Sequence, residues 1–331
     1  MMTELKRFVS MMFVVAVLCS AGDAQTKPEI VVPKDYRPPN MIESAELKSQ
    51  IEETVGDFIN SYRGGTFKNE EIAVTVIDLR DPISWKWANY RGESKYYPAS
   101  VPKMFYMAAV ERQLQDGKIQ HTSELDRGLR DMIVVSSNDA TQYIVDVITD
   151  TGSGAEMPAK EFEEWQFKRN RMNRFFGAMG YKNININQKI YCEDAYGIEQ
   201  QSRKYAGENR NMLTTNAAAR AIAEIAFGRL NTPERTARMM NLLKRDPFAK
   251  SEDPDDQSVG YVGKVLIDRE MKDAKLWSKA GLTSLARHDV AYVEMPSGLK
   301  FAIAIFTENH ARERHVIPMV AGKIIDKLSG K

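Results

Sequence analysis

The stretch Tyr97-Pro98-Ala99-Ser100-Val101-Pro102-Lys103-Met104-Phe105-Tyr106-Met107 decides how the rest of the chain is read. A serine in N-cap position, a proline in the first turn and an apolar run without further breakers mark the start of a buried helix. Three residues are close to one helical turn, so Ser100 and Lys103 share a face at the mouth of that helix. A serine hydroxyl is a weak nucleophile near neutral pH, whereas a lysine in apolar surroundings has a lowered pKa and is able to take its proton. The free N–H groups of the helix start favour negative charge developing beside them. The same residues also describe a plain cap with a solvated lysine, and the pattern is cheap. Ser297-Gly298-Leu299-Lys300 repeats it after Pro296, between two strand-like runs, where it reads as a hairpin turn.

Working upstream, Ile83 to Tyr90 carries Trp85 and Trp87 on one face and follows the alternating, β-branched run Ile72 to Leu79, which together read as a hairpin with the tryptophans in the core. Before it, Leu47, Ile51, Val55, Phe58 and Ile59 recur at helical spacing within Ser44 to Asn60 and form a face for packing onto a sheet. Downstream the pattern turns helical. Val101 to Leu114 is apolar nearly all round, as a central covered helix would be. Asp131 to Thr149 is a second helical stretch, interrupted by Ser136-Ser137-Asn138-Asp139 just where Met132 to Val135 predicts core. A third runs from Glu161 to Gly180, with Lys168, Arg169, Arg171 and Arg174 read as its solvated face, and a fourth, alanine-rich, from Thr214 to Phe227. The polar loop Gln188 to Arg210 lacks periodicity and is placed to border a site.

Leu276 to Gly281, Val290 to Met295 and Phe301 to Thr307 read as strands, and His315 to Leu328 as a closing helix. Strands at both ends with helices between them predict an α/β protein of α+β two-lobe type. An antiparallel sheet lobe with flanking helices is built from 44–97 and 276–331, and an all-helical lobe over 98–275 is inserted into it.

A chain of 331 residues with 43% hydrophobic content is long enough to bury a core of this size. Its 46 basic and 45 acidic residues leave a net charge of +1, which gives no electrostatic case for nucleic acid or an anionic membrane and favours a small molecule or peptide as partner. Lys6-Arg7, the apolar run Phe8 to Leu18 and the small residues Ser20 to Ala24 form a secretory signal pattern over 1–24, too short to span a bilayer as a mature helix, so a periplasmic or secreted protein is expected. Cleavage there removes Cys19 and leaves Cys192 as a single thiol with no intrachain disulfide. Residues 25–43, with Pro28, Pro33, Pro38 and Pro39, read as an extended tether.

Ser100-Val101-Pro102-Lys103, Ser136-Ser137-Asn138 and Lys279-Ala280-Gly281 stand in a fixed order, at a helix start, at a helix interruption and at the end of a strand. In this the chain resembles the penicillin-recognising serine hydrolases, the class A β-lactamases and D,D-peptidases, whose signature is S-x-x-K, S-D-N or S-x-N, and K-T-G. The resemblance spans roughly Ser44 to Leu328. It implies that Ser100 attacks a carbonyl and becomes acylated, with Lys103 accepting its proton, Ser136 relaying a proton to the leaving nitrogen and Lys279 supplying positive charge. It further implies that Asn138 binds the substrate's side-chain amide and that Ala280 and Gly281 line the substrate strand. The oxyanion would lie between the amides of Ser100 and Leu282, and Arg287 or His288 would add a contact to a carboxylate. The substrate would be a β-lactam or a peptidoglycan-like peptide, with no cofactor or metal.

Departures from the pattern accompany the match. The connection from Ser100 to Ser136 is short, which implies a more open site. Ala280 replaces a hydroxyl residue, Ser137 replaces the aspartate of S-D-N, and no E-P-x-L-N motif supplies a deacylating glutamate. Glu193 is the first candidate for that glutamate and Glu199 the second. A slow, D,D-peptidase-like enzyme and a non-catalytic cell-envelope binding protein are therefore the alternatives to a β-lactamase. A metallohydrolase finds no support in the spacing of His121, His288, His310 and His315, and a triad on His288 lacks a G-x-S-x-G elbow.

Overall fold

The computed structural model describes residues 29–330; the expected secretory signal lies outside them. None of the described helices is long and apolar enough to cross a membrane. Among the described residues the sheet has seven strands in the order β1-β3-β2-β7-β6-β5-β4. These are β1 (Asn40–Glu43), β2 (Ile72–Asp78), β3 (Ser84–Tyr90), β4 (Lys244–Arg245), β5 (Lys275–Leu282), β6 (Arg287–Glu294) and β7 (Lys300–Thr307). All pairs are antiparallel except β1 with β3. The expected hairpin is β2–β3, and β7 pairs with β2 from Ile72↔Thr307 to Asp78↔Phe301, which closes one sheet from the two ends of the chain. The second serine-lysine tetrapeptide is the β6–β7 turn, where Gly298 takes a φ of 87° that favours glycine.

One face of the sheet is covered by α1 (Ala45–Ser61), α10 (Tyr261–Asp268) and α11 (Val316–Leu328). Ser44 caps α1 by accepting from the Leu47 amide, and Leu47, Ile51, Val55 and Phe58 point inward at the predicted spacing. Each such aliphatic or aromatic side chain contributes about 1.5–3 kcal/mol by burial. The other face packs against α8 (Thr215–Ala226), capped by Thr214, and beyond it lies α2 (Pro102–Gln115), buried along nearly its whole length. Around α2 stand α3 (Ser123–Ile133), α4 (Asn138–Thr149), α6 (Arg171–Ala178) and α9 (Pro233–Leu243), which complete the helical lobe. Trp85 is fully buried in this second core against Phe227, and Trp87 packs beside it half-buried.

Four expectations need correction. The proline-rich segment is not a free tether over its described part. Ile30 is buried, the Tyr36 hydroxyl donates to Glu224 at 3.0 Å, and β1 adds to the sheet edge. The single helix expected over 161–180 is two, α5 (Ala159–Arg169) and α6, joined at Asn170. Its basic face is not solvated at two of four positions. Arg169 is fully buried against Glu199, with Nη1 2.8 Å from the carboxylate, and Arg171 donates to the Ile148 carbonyl. Helix α10 falls in the stretch assigned to the helical lobe but packs with the sheet, because Val262, Val265 and Leu266 share a core with Val320 and Ile324 of α11.

The two lobes touch closely at Gly281 of β5. A Cβ there would stand 2.8 Å from the Pro98 carbonyl oxygen and 3.2 Å from the Ser100 nitrogen, so glycine lets the strand lie against the turn that carries Ser100. Gly281→Ala forces backbone apart and is expected to cost about 1–3 kcal/mol. Thermal or urea unfolding of the purified protein measures this directly, and an unchanged midpoint would show that the lobes tolerate separation at this point.

Candidate active site

Helix α2 begins one residue later than the sequence pattern predicts. Val101 is the residue that precedes the helix, Pro102 is its first residue, and the Ser100 side chain makes no capping bond. The entry is a tight turn in which the Lys103 amide donates to the Ser100 carbonyl at 3.2 Å. Proline at the first helical position, with its fixed φ and missing N–H, sets that boundary. Ala99 holds a φ of 49°, a left-handed conformation that a side chain disfavours, and this bends the chain sharply before the serine. The Ser100 hydroxyl is thereby spared capping duty and lies on the cleft.

Lys103 rises from beneath it with no exposed surface. Its Nζ donates to the Ser136 carbonyl at 2.6 Å, to Asn138 Oδ1 at 2.8 Å and to Ser136 Oγ at 3.2 Å. Burial pushes the amine down to about 7, partly offset by the field of Cys192. The interruption between α3 and α4 is what delivers Ser136: Ser137 caps α4 through the Ala140 amide, and Ser136 takes a φ of 59°. Lys279, fully buried on β5, approaches from the opposite side and donates to the same Ser136 Oγ at 3.0 Å. Burial, reinforced by Lys103 and Arg245, drives its pKa well below that of a free lysine. Ser136 Oγ accepts from both amines, which leaves its own proton free to turn toward the cleft.

The backbone of β5 supplies the remaining edge. The Ala280 amide donates to Gln257 Oε1 at 3.1 Å, so it faces away from β6, and by the alternation of an antiparallel strand the Leu282 amide faces the same way. Together with Ser136, Asn138 and the side chain of Gln257, these groups line a cleft of about 620 Å³. Asn138 also donates to the Tyr191 carbonyl at 3.2 Å, which ties the 188–210 loop to the site.

The structure thus brings Ser100, Lys103, Ser136, Asn138, Lys279, Ala280, Gly281 and Leu282 together. Four others lie elsewhere. Arg287 is buried off the cleft, with Nη1 2.7 Å from Asp255 and its guanidinium over the Tyr261 ring, because an aspartate two residues before Gln257 takes its charge. His288 is enclosed between the Tyr97 carbonyl and the Thr307 amide, and burial lowers its pKa to about 4. Glu193 is exposed on an outward turn, where its neighbour Asp194 pairs with Arg203, and it does not line the cleft. Glu199 is buried but committed: Arg169 grips both of its oxygens at 2.8 Å, and Lys189 stands 3.2 Å away. Burial alone would raise the pKa of Glu199, yet these two cations hold it below the usual range.

Sequence reasoning missed Gln257 and Arg245. Gln257 follows an acidic, aperiodic stretch, and Arg245 sits in a two-residue strand, so neither carried a local signal. Arg245 is buried at the cleft wall and donates to the carbonyls of Ile133 and Ser278, each at 3.0 Å.

Comparison with known proteins places this geometry in context. The chain is similar in fold to a β-lactamase from Sphaerobacter thermophilus (17% identity over 88% of this chain and 99% of that one, TM-score 0.59). It is likewise similar to PBP-A (16% identity, 89% and 100% coverage, TM-score 0.59) and to the TLA-3 extended-spectrum β-lactamase (16%, 85% and 98%, TM-score 0.59). A search of curated proteins returned no match. The model of the β-lactamase enzyme family matches residues 47–328. The chain belongs to that family and is a serine hydrolase of the β-lactamase type.

Proposed function

We propose that the protein is an exported serine acyl-transfer hydrolase that forms an acyl-enzyme on Ser100, with β-lactams or peptide-like amides as acyl donors, and that it releases the acyl group slowly. The observation that carries this reading is the Ser136 hydroxyl held between the amines of Lys103 and Lys279 at the edge of the cleft that Ser100 faces. With a pKa near 7, Lys103 is substantially neutral in the resting site and takes the proton of Ser100 as its oxygen attacks the carbonyl. Ser136, its proton free to turn toward the cleft, hands a proton to the departing nitrogen and is resupplied from Lys103. The amides of Ser100 and Leu282 receive the oxyanion, a contribution of up to a few kcal/mol per donor.

Slow release follows from the placement of Glu193 and Glu199 in the 188–210 loop. Hydrolysis of an acyl ester needs a base beside the attacking water, and neither Glu193, exposed off the cleft, nor Glu199, held by Arg169 and Lys189, is free to serve. This favours D,D-peptidase-like behaviour over fast β-lactam turnover.

Ser100→Ala should abolish covalent labelling by penicillin or an acyl-phosphonate, read by intact mass, while the protein stays folded; labelling at the parent level would refute the nucleophile. The acylation rate of the parent should rise with pH through about 7, because the protonated amine below that value cannot act as base. Lys103→Arg keeps the charge, loses the base and should acylate about 10² to 10⁴ times more slowly; a variant as fast as the parent, or a flat pH profile, would remove Lys103 from the mechanism. Penicillin hydrolysis should show a burst followed by a slow steady state, and Glu193→Gln should leave both phases as they are. Burst-free, fast turnover, or a second phase slowed in Glu193→Gln, would restore an efficient base to the 188–210 loop.

A further inference from the structure

We propose that Gln257 sets the substrate class of this cleft: its side-chain carbonyl occupies the place on Lys279 that a ligand's acidic group would take, so the enzyme favours acyl donors with no carboxylate there. The inference rests on the acyl-transfer reading above and deepens it.

Lys279 has three N–H donors, and all are used, on Ser136 Oγ at 3.0 Å, Gln257 Oε1 at 2.6 Å and the Ala280 carbonyl at 2.9 Å. Gln257 Oε1 also accepts the Ala280 amide at 3.1 Å, so one oxygen closes both the cation and the strand N–H to an incoming anion. Its amide nitrogen is fastened to the other wall, on the Val134 carbonyl at 3.1 Å and more loosely on that of Ile133 at 3.5 Å. A carboxylate that reaches Lys279 must break this set, whereas a neutral donor can seat on Ser100 and leave it in place. Ala280 brings no hydroxyl to reward the exchange.

The charge around the mouth points the same way. Asp253 and Asp256 line the cleft and accept from the backbone amides of Asp255 and Ser258; Arg314 and Arg245 feel their charge without a direct ion pair, whereas Asp255 is paired directly by Arg287 and Arg314. Arg245 directs its protons at main-chain carbonyls, and exposed Lys244 is one rim cation set against those two carboxylates.

The test uses the full chain and two thioesters with the same N-benzoylglycyl acyl group, one with mercaptoacetate as leaving group and the other with its methyl ester. In each the bond from Ser100 Oγ to the acyl carbon forms, the C–S bond breaks, and the thiolate leaves and receives the hydroxyl proton through Lys103. Acylation is followed by intact mass and thiol release. The parent should prefer the methyl ester at least about ten-fold, and Gln257→Ala should shrink that ratio by about ten-fold or more, as should Gln257→Asn, whose amide falls one methylene short. Circular dichroism and thermal unfolding establish that each variant is folded. If neither folds, the parent's own preference decides. A parent with no preference for the neutral thioester, or folded variants with an unchanged ratio, would overturn this inference alone. If Ser100 is labelled by neither thioester nor by penicillin, the acyl-transfer reading falls and this inference with it.

Discussion

One hydroxyl between two buried amines is the constraint on which the arrangement depends. Placing two lysines at zero exposure within reach of a single oxygen would be prohibitive if both stayed fully charged and unpaired. The fold meets the cost in two ways. Lys103 is lowered to about 7, so its charge is partly relinquished, and every donor of both amines finds an oxygen from Ser136, Asn138, Gln257 or the backbone. Asp289, buried on β6 and raised to about 6 by that burial, is a buried counter-charge to Lys279 and Arg245. A lysine that gives up its proton easily is also the base that a serine nucleophile needs. The feature that makes the site costly to fold is the one that makes it reactive.

Three separate elements must meet at that hydroxyl, and each is specialised for it. Helix α2 is covered on all sides, which fixes Lys103 from below. The α3–α4 junction is held in left-handed geometry at Ser136. Strand β5 reaches the Ser100 turn because Gly281 allows it. The 188–210 loop is anchored from beneath by Arg169, Lys189 and Glu199, so this buried glutamate serves architecture.

Much of this was legible in the sequence where the signal was local. The spacing of Ser100 and Lys103, the polar break after Val135 and the glycine that ends a strand after Lys279 each place a side chain by backbone geometry within a few residues. The order of β2, β3, α2, α8, β5, β6, β7 and α11 likewise followed from periodicity. What failed depended on partners distant in the chain. Nothing near Arg169 announces that Glu199 will bury it, nothing near Arg287 names Asp255, and Gln257 lies in an acidic stretch without period. Proline-rich residues around Tyr36 resemble a linker until Glu224, 188 residues later, supplies their hydrogen bond.

The physical core of this account is a Lys103 amine that titrates near neutrality inside the folded protein. Carbon-13 NMR of Cε in lysine-labelled protein, with the Lys103 signal assigned by its loss in Lys103→Arg, measures that value directly. A midpoint near 7 is the outcome predicted here; an amine that remains protonated up to the ordinary range of about 10 would contradict it.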